Sequence, residues 1–224
     1  MAQTARPAAL GPEILLPDIR ILEPSSFYLV DQRSAGDRRL KFTTTIWNAG
    51  PGPIEVRGHA DPTTGELAVQ QVLHVEGGGT VGADFVGTFQ FEHRHGHLHL
   101  AGFARYELWS VNTDGELVQL VAKNEKVGFC LMDNVVVDEA LTTQNGGLVY
   151  PIDCEADVQG ISPGYGDVYV AQLYEQDVVI DGLPDGRYAL VNVANPNGDT
   201  AEADYDNNTQ TIYLTLSGRR VIPD

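Results

Sequence analysis

The chain is interrupted too often to hold long helices. Its 24 glycines and 12 prolines are spread through all 224 residues. Each such residue costs a helix interior about 1 kcal/mol for Gly and about 3 kcal/mol for Pro. Between the breaks, apolar and polar residues alternate, which is the period of a half-buried strand. Arg39 to Trp47 (RLKFTTTIW) alternates and is rich in β-branched residues, which favour a pleated surface. It stops at Asn48-Ala49-Gly50-Pro51-Gly52-Pro53, a strong turn signal. Ile54–His59 and Glu66–Val75 read as further strands, and Gly77-Gly78-Gly79 ends the second. Residues 85–92 and 93–110 read as extended, as do Glu116–Ala122 and Val127–Leu131. Tyr169–Ile180, Arg187–Val193 and Thr209–Leu216 complete the set, with Asp185-Gly186 and Asn197-Gly198 as turns. Many short strands and no convincing helix predict an all-β chain, an antiparallel β-sandwich in a single domain. The expected division is an irregular arm over residues 1–20, the sandwich over 21–218 and a tail over 219–224. Residues 133–167 lack periodicity and predict a long ordered loop.

Charge narrows the partners. Thirty-one acids face 14 bases, a formal net charge of −17. Nucleic acid and anionic membrane both need basic surface and are excluded as partners. No run of about 20 apolar residues offers a membrane span. The first 20 residues carry no evident signal peptide, because Gly11, Pro12 and Glu13 break the apolar stretch. Cys130 and Cys154 bracket much of the long loop. They are too few for a four-cysteine zinc site. One disulfide stapling the loop and two buried thiols are the open readings. There are three lysines, Lys41, Lys123 and Lys126.

Four of the six histidines fall at His93, His95, His97 and His99. On a strand, alternate side chains share a face, with neighbours about 6.5–7 Å apart. Three neutral imidazoles converging there suit copper(II) or zinc. His95, His97 and His99 are the expected ligands, with His93 as an outer group or substitute. Three histidines leave coordination positions open, as a catalytic site does.

The segment HRHGHLHLAGFARYELW, with Phe103 and Tyr106 after the histidines, resembles the copper-binding signature of the lysyl oxidase family. Lys126-Val127-Gly128-Phe129-Cys130-Leu131-Met132-Asp133 resembles that family's lysine segment. Gly160-Ile161-Ser162-Pro163-Gly164, running on to Asp167-Val168-Tyr169, is similar to its tyrosine segment. Asp185–Leu190 and Glu202–Asn208 look like its closing strands, and the resemblance extends over about residues 14–216. With only two cysteines, the chain resembles a minimal microbial version.

The resemblance implies Cu(2+) and a self-made lysine tyrosylquinone formed from Lys126 and Tyr169. Copper(II) activates the phenol, dioxygen oxidises the ring, and the Lys126 amine adds to it. The mature group deaminates a primary amine, either a small amine or a protein lysine, to an aldehyde. Dioxygen is reduced to H2O2 and NH3 is released. Asp133 is the expected general base, with Asp167 and Asp204 as alternatives in the same segments. A secreted or cell-surface location suits a disulfide and a peroxide product. The rival readings are a copper or zinc protein without the quinone, and a bacterial surface interaction module.

Overall fold

The computed structural model describes residues 13–32, 37–60, 67–94, 96–151, 153–154, 157–174 and 176–224. In chain order its strands are β1 (Ile14–Leu15), β2 (Ile19–Ile21), β3 (Ser25–Gln32), β4 (Asp37–Asn48), β5 (Ile54–Ala60) and β6 (Leu67–Val75). Then come β7 (Thr80–Glu92), β8 (His97–Val111), β9 (Leu117–Phe129), β10 (Val135–Val136), β11 (Val158–Ile161) and β12 (Tyr165–Tyr169). β13 (Asp177–Val179), β14 (Gly186–Ala194), β15 (Thr209–Ser217) and β16 (Arg220–Pro223) close the chain. A single helix among the described residues, α1 (Glu139–Gln144), lies between β10 and β11.

The strands form two antiparallel sheets, as the turn punctuation predicts. The larger runs β11-β5-β6-β7-β8-β14-β15-β16, with β1 beside β6 and β9 beside β8. The smaller runs β10-β12-β4-β13, with β2 and β3 also on β4. Alternation becomes burial directly: β15 turns Ile212, Leu214 and Leu216 inward at every second position. Such a side chain stabilises the fold by about 1.5–3 kcal/mol on burial. The core lies between the sheets and contains Phe42 and Ile46 from the smaller one and Leu100, Tyr106 and Phe129 from the larger.

Three expectations change. Part of the arm and most of the tail are paired: β1 on β6, β2 on β4, and β16 on β15. The rest of the arm, residues 1–12, lies outside the described residues. The long loop contains β10, α1 and β11, elements too short for periodicity to reveal. Asp138 caps α1 by accepting from the Leu141 amide at 2.9 Å. The histidine run is also not one strand. β7 ends at Glu92 and β8 begins at His97, and the Gly96 amide donates to the Glu92 carbonyl at 2.7 Å to close a turn between them.

The Asn48 turn has a clear cause. The Asn48 Oδ1 accepts from the amides of Asp18 (3.1 Å) and Gly50 (3.0 Å). Its Nδ2 donates to the carbonyls of Gly52 (2.8 Å) and Ile161 (3.1 Å). One buried side chain thereby ties the residue before β2 to β4, β11 and the turn.

Candidate metal and redox site

β8 and β12 belong to different sheets and bring the sequence-marked residues together. His97 and His99, two apart on β8, share a face, and their Nε2 atoms are 2.9 Å apart. Nitrogen–metal bonds of about 2.0–2.1 Å at a right angle would give about this separation. His99 is buried and His97 half-buried. His93 stands apart in the exposed turn, stacked edge-on to Phe91 at 5.3 Å. His95 lies outside the described residues. Among the described residues, no group of three or more His, Cys, Asp or Glu side chains is placed to hold a metal ion. The structure therefore joins two of the three expected ligands.

Tyr169 approaches this pair from the smaller sheet. Its ring meets His99 edge-on at 6.1 Å and lies 4.1 Å from the Phe129 ring on β9. Its hydroxyl oxygen accepts from the Cys130 amide at 2.6 Å. Burial, and then the neighbouring Asp167 carboxylate, push its pKa well above the usual tyrosine value.

Lys126 belongs to β9, beside β8 in the register Ala104↔Val127 and Leu100↔Phe129. Its side chain lies outside what the structure describes. Gly128, two residues on, explains the local sequence. A Cβ there would lie 3.0 Å from the His99 Cβ and 3.3 Å from its Nδ1, so glycine lets β9 approach His99 without displacing it. The other lysines are engaged elsewhere: Lys41 pairs with Asp177 at 2.9 Å, and Lys123 with Glu125.

Cys130 and Cys154 form a disulfide, which decides between the two readings of the thiols. The strap it closes reaches the histidine strand, because the Leu98 amide donates to the Cys154 carbonyl at 3.1 Å.

The carboxylates divide differently from expectation. Asp133 accepts from the Ser162 amide (2.7 Å), the Ser162 hydroxyl (2.6 Å), the Tyr150 amide (3.0 Å) and the Val149 amide (3.2 Å). Four donors occupy its oxygens and clasp the loop. Asp204 is exposed and accepts from the Asp206 amide and Asn207 Nδ2, holding a turn. Asp167 is fully buried. Its Oδ1 accepts from Asn134 Nδ2 at 2.8 Å, and its Oδ2 has no partner. Burial first, then the Asp133 charge, raise its pKa well above the carboxylate range.

Asp167, Tyr169 and His97 line one cleft of about 390 Å3, whose other walls include Asn134, Arg94 and Tyr174. Sequence reasoning missed the last three. The one available signal was that Asn134 adjoins the lysine segment and Tyr174 follows the tyrosine segment.

Residues 83–223, well over half of the chain, match the family model for lysyl oxidase. The chain belongs to the lysyl oxidase family. The match begins at residue 83, whereas the motif resemblance extends from about residue 14. Lysyl oxidase homolog 2 of Gallus gallus is 31% identical over 140 residues, 58% of this chain and 15% of its own length. Protein-lysine 6-oxidase of Homo sapiens is 32% identical over 125 residues, 55% of this chain and 27% of its own length. Lysyl oxidase homolog 1 of Homo sapiens is 30% identical over 135 residues, covering 60% and 21%. The aligned stretch is thus a minor part of each of these lysyl oxidase family relatives.

Proposed function

We propose that the chain is a copper-dependent amine oxidase. Its redox group would be a lysine tyrosylquinone made from Lys126 and Tyr169, with copper held by His95, His97 and His99. The observation that carries this reading is the junction of Tyr169, His99 and β9. A buried phenol meets a buried imidazole edge-on, and the strand carrying Lys126 packs on that imidazole through Gly128. Neither a copper carrier nor an interaction module needs this junction. The names of the relatives, protein-lysine 6-oxidase among them, support the same chemistry.

Copper and quinone together would supply the overall conversion RCH2NH2 + O2 + H2O → RCHO + H2O2 + NH3. The chain's own residues do the rest. Phe129 and His99 hold the Tyr169 ring between the sheets. Burial keeps its hydroxyl protonated, so the protein alone does not ionise the ring at neutral pH. Asp167 stands at the cleft wall with an unpartnered oxygen. A carboxyl with a raised pKa returns a proton less readily than an ordinary one and takes it up more readily, as a general base needs. It replaces Asp133 as the acid–base group in this reading. The disulfide supports an oxidising compartment, secreted or at the cell surface.

The test is peptide mass analysis after copper loading in air. The expected result is the Lys126 peptide joined covalently to the Tyr169 peptide, with a visible quinone band. K126R and Y169F should lose both while still binding copper. Copper bound by the unaltered chain with no crosslink overturns the reading.

A further inference from the structure

The cleft that reaches Tyr169 has a charge of its own. The molecule carries 31 acids to 14 bases, yet Arg94 lies in this wall. Its guanidinium sits over the Tyr174 ring, 4.6 Å from the centroid. A cation–π contact of this kind uses none of the guanidinium's five N–H donors as hydrogen bonds to an acceptor oxygen. Several other arginines pair with acids: Arg20 with Asp18, Arg39 with Asp177, Arg57 with Glu55 and Arg105 with Glu107. No carboxylate among the described residues pairs with the Arg94 guanidinium. Glu92 accepts instead from the Arg94 backbone amide at 3.0 Å.

The other ionisable side chains of this cleft are Asp167, Tyr169, Tyr174 and His97. Asp167 lies near the Tyr169 ring, where the reacting amine would arrive. Arg94 stays charged at every working pH. A volume of about 390 Å3 is near the lower end for small-molecule sites, enough for one short ligand.

We propose that the cleft selects a small primary amine with an anionic far end, an ω-amino carboxylate, over a diamine. This rests on the amine oxidase reading and adds the substrate class. The amine end lies toward Tyr169 and Asp167, and the carboxylate takes the in-plane donors of Arg94. A diamine places its second ammonium against the guanidinium and is disfavoured. The negative field of the whole molecule draws the doubly charged diamine more strongly than the net-neutral amino carboxylate, so the short-range contact with Arg94 has to outweigh it.

The experiment compares 6-aminohexanoate with cadaverine in two ways. One is kcat/KM of the copper-loaded enzyme. The other is calorimetric binding to copper-free protein, which needs no turnover. The unaltered chain should favour 6-aminohexanoate by about fivefold, the upper range for an exposed charge pair. R94E should reverse the order and R94K should keep it. Each ratio is taken within one protein, so the fraction folded cancels. Equal or reversed selectivity in the unaltered chain overturns the proposal, as does an unchanged order in R94E. If no crosslink forms, the amine oxidase reading falls on its own test, and the copper-free binding order still decides the specificity.

Discussion

Asp133 and Asp167 lie in neighbouring parts of the fold, and their surroundings treat them in opposite ways. Four donors occupy the oxygens of the Asp133 carboxylate. Removing it in D133A leaves buried donors unpaired, and about 3 kcal/mol of stability should be lost in urea unfolding. Asp167 has one donor and an orphan oxygen, so burial dominates and the folded protein binds its proton more tightly than the unfolded chain does. Stability contributed by this group therefore falls as pH rises from the usual carboxylate value toward the raised one. Asparagine at 167 does not titrate. The Tm of D167N minus that of the unaltered chain should grow with pH across that window, read by thermal melts from pH 4 upward. A difference that stays flat would show that Asp167 is not proton-binding in the fold. Amine oxidation by D167N should be strongly reduced at every pH.

At the scale of elements, short segments are fixed by close contacts rather than by propensity. Gly160 on β11 has no room for a side chain: a Cβ there would lie 2.4 Å from the Ile54 carbonyl oxygen and 2.9 Å from the Tyr150 ring. G160A should destabilise by about 3 kcal/mol, the upper range for overpacking, and shift the urea midpoint accordingly. The disulfide joins residues 24 apart, and C130S/C154S should cost a further ~3 kcal/mol by loop entropy. The strands of the sandwich were legible wherever alternation ran long enough, as in β4, β6 and β15. The break in the histidine run was not legible, because residues 93–99 keep a period of two through the turn. The end of β7 is set by backbone pairing of Glu92 with His97, which side-chain pattern does not encode. The pairing of Tyr169 with His99 was legible only through the family resemblance. Neither residue alone differs in pattern from an ordinary core aromatic or a polar strand residue. Arg94 was illegible because its meaning comes from Tyr174, which lies far along the chain.

At the scale of the molecule, a net charge of −17 on 24.3 kDa is held together against its own repulsion. Salt screens that repulsion within about 10 Å at 0.1 M. The Tm should therefore rise between about 10 mM and about 0.5 M NaCl, by about 3 °C for each kcal/mol relieved. A fall would mean that the ion pairs of Arg39, Lys41 and Arg57 outweigh the surplus acids. The larger sheet supplies the histidines and the smaller sheet the phenol, so the site exists only once the two sheets have closed. The Cys130 amide adds a timetable to that assembly. It donates to the Tyr169 hydroxyl, the group the proposed cofactor would be made from, and comes from a residue anchored by its bond to Cys154. In the proposed enzyme, sulfur oxidation would therefore come before ring oxidation. A chain made under reducing conditions should reach its copper before its tyrosine is seated, and should mature slowly until a thiol oxidant is supplied.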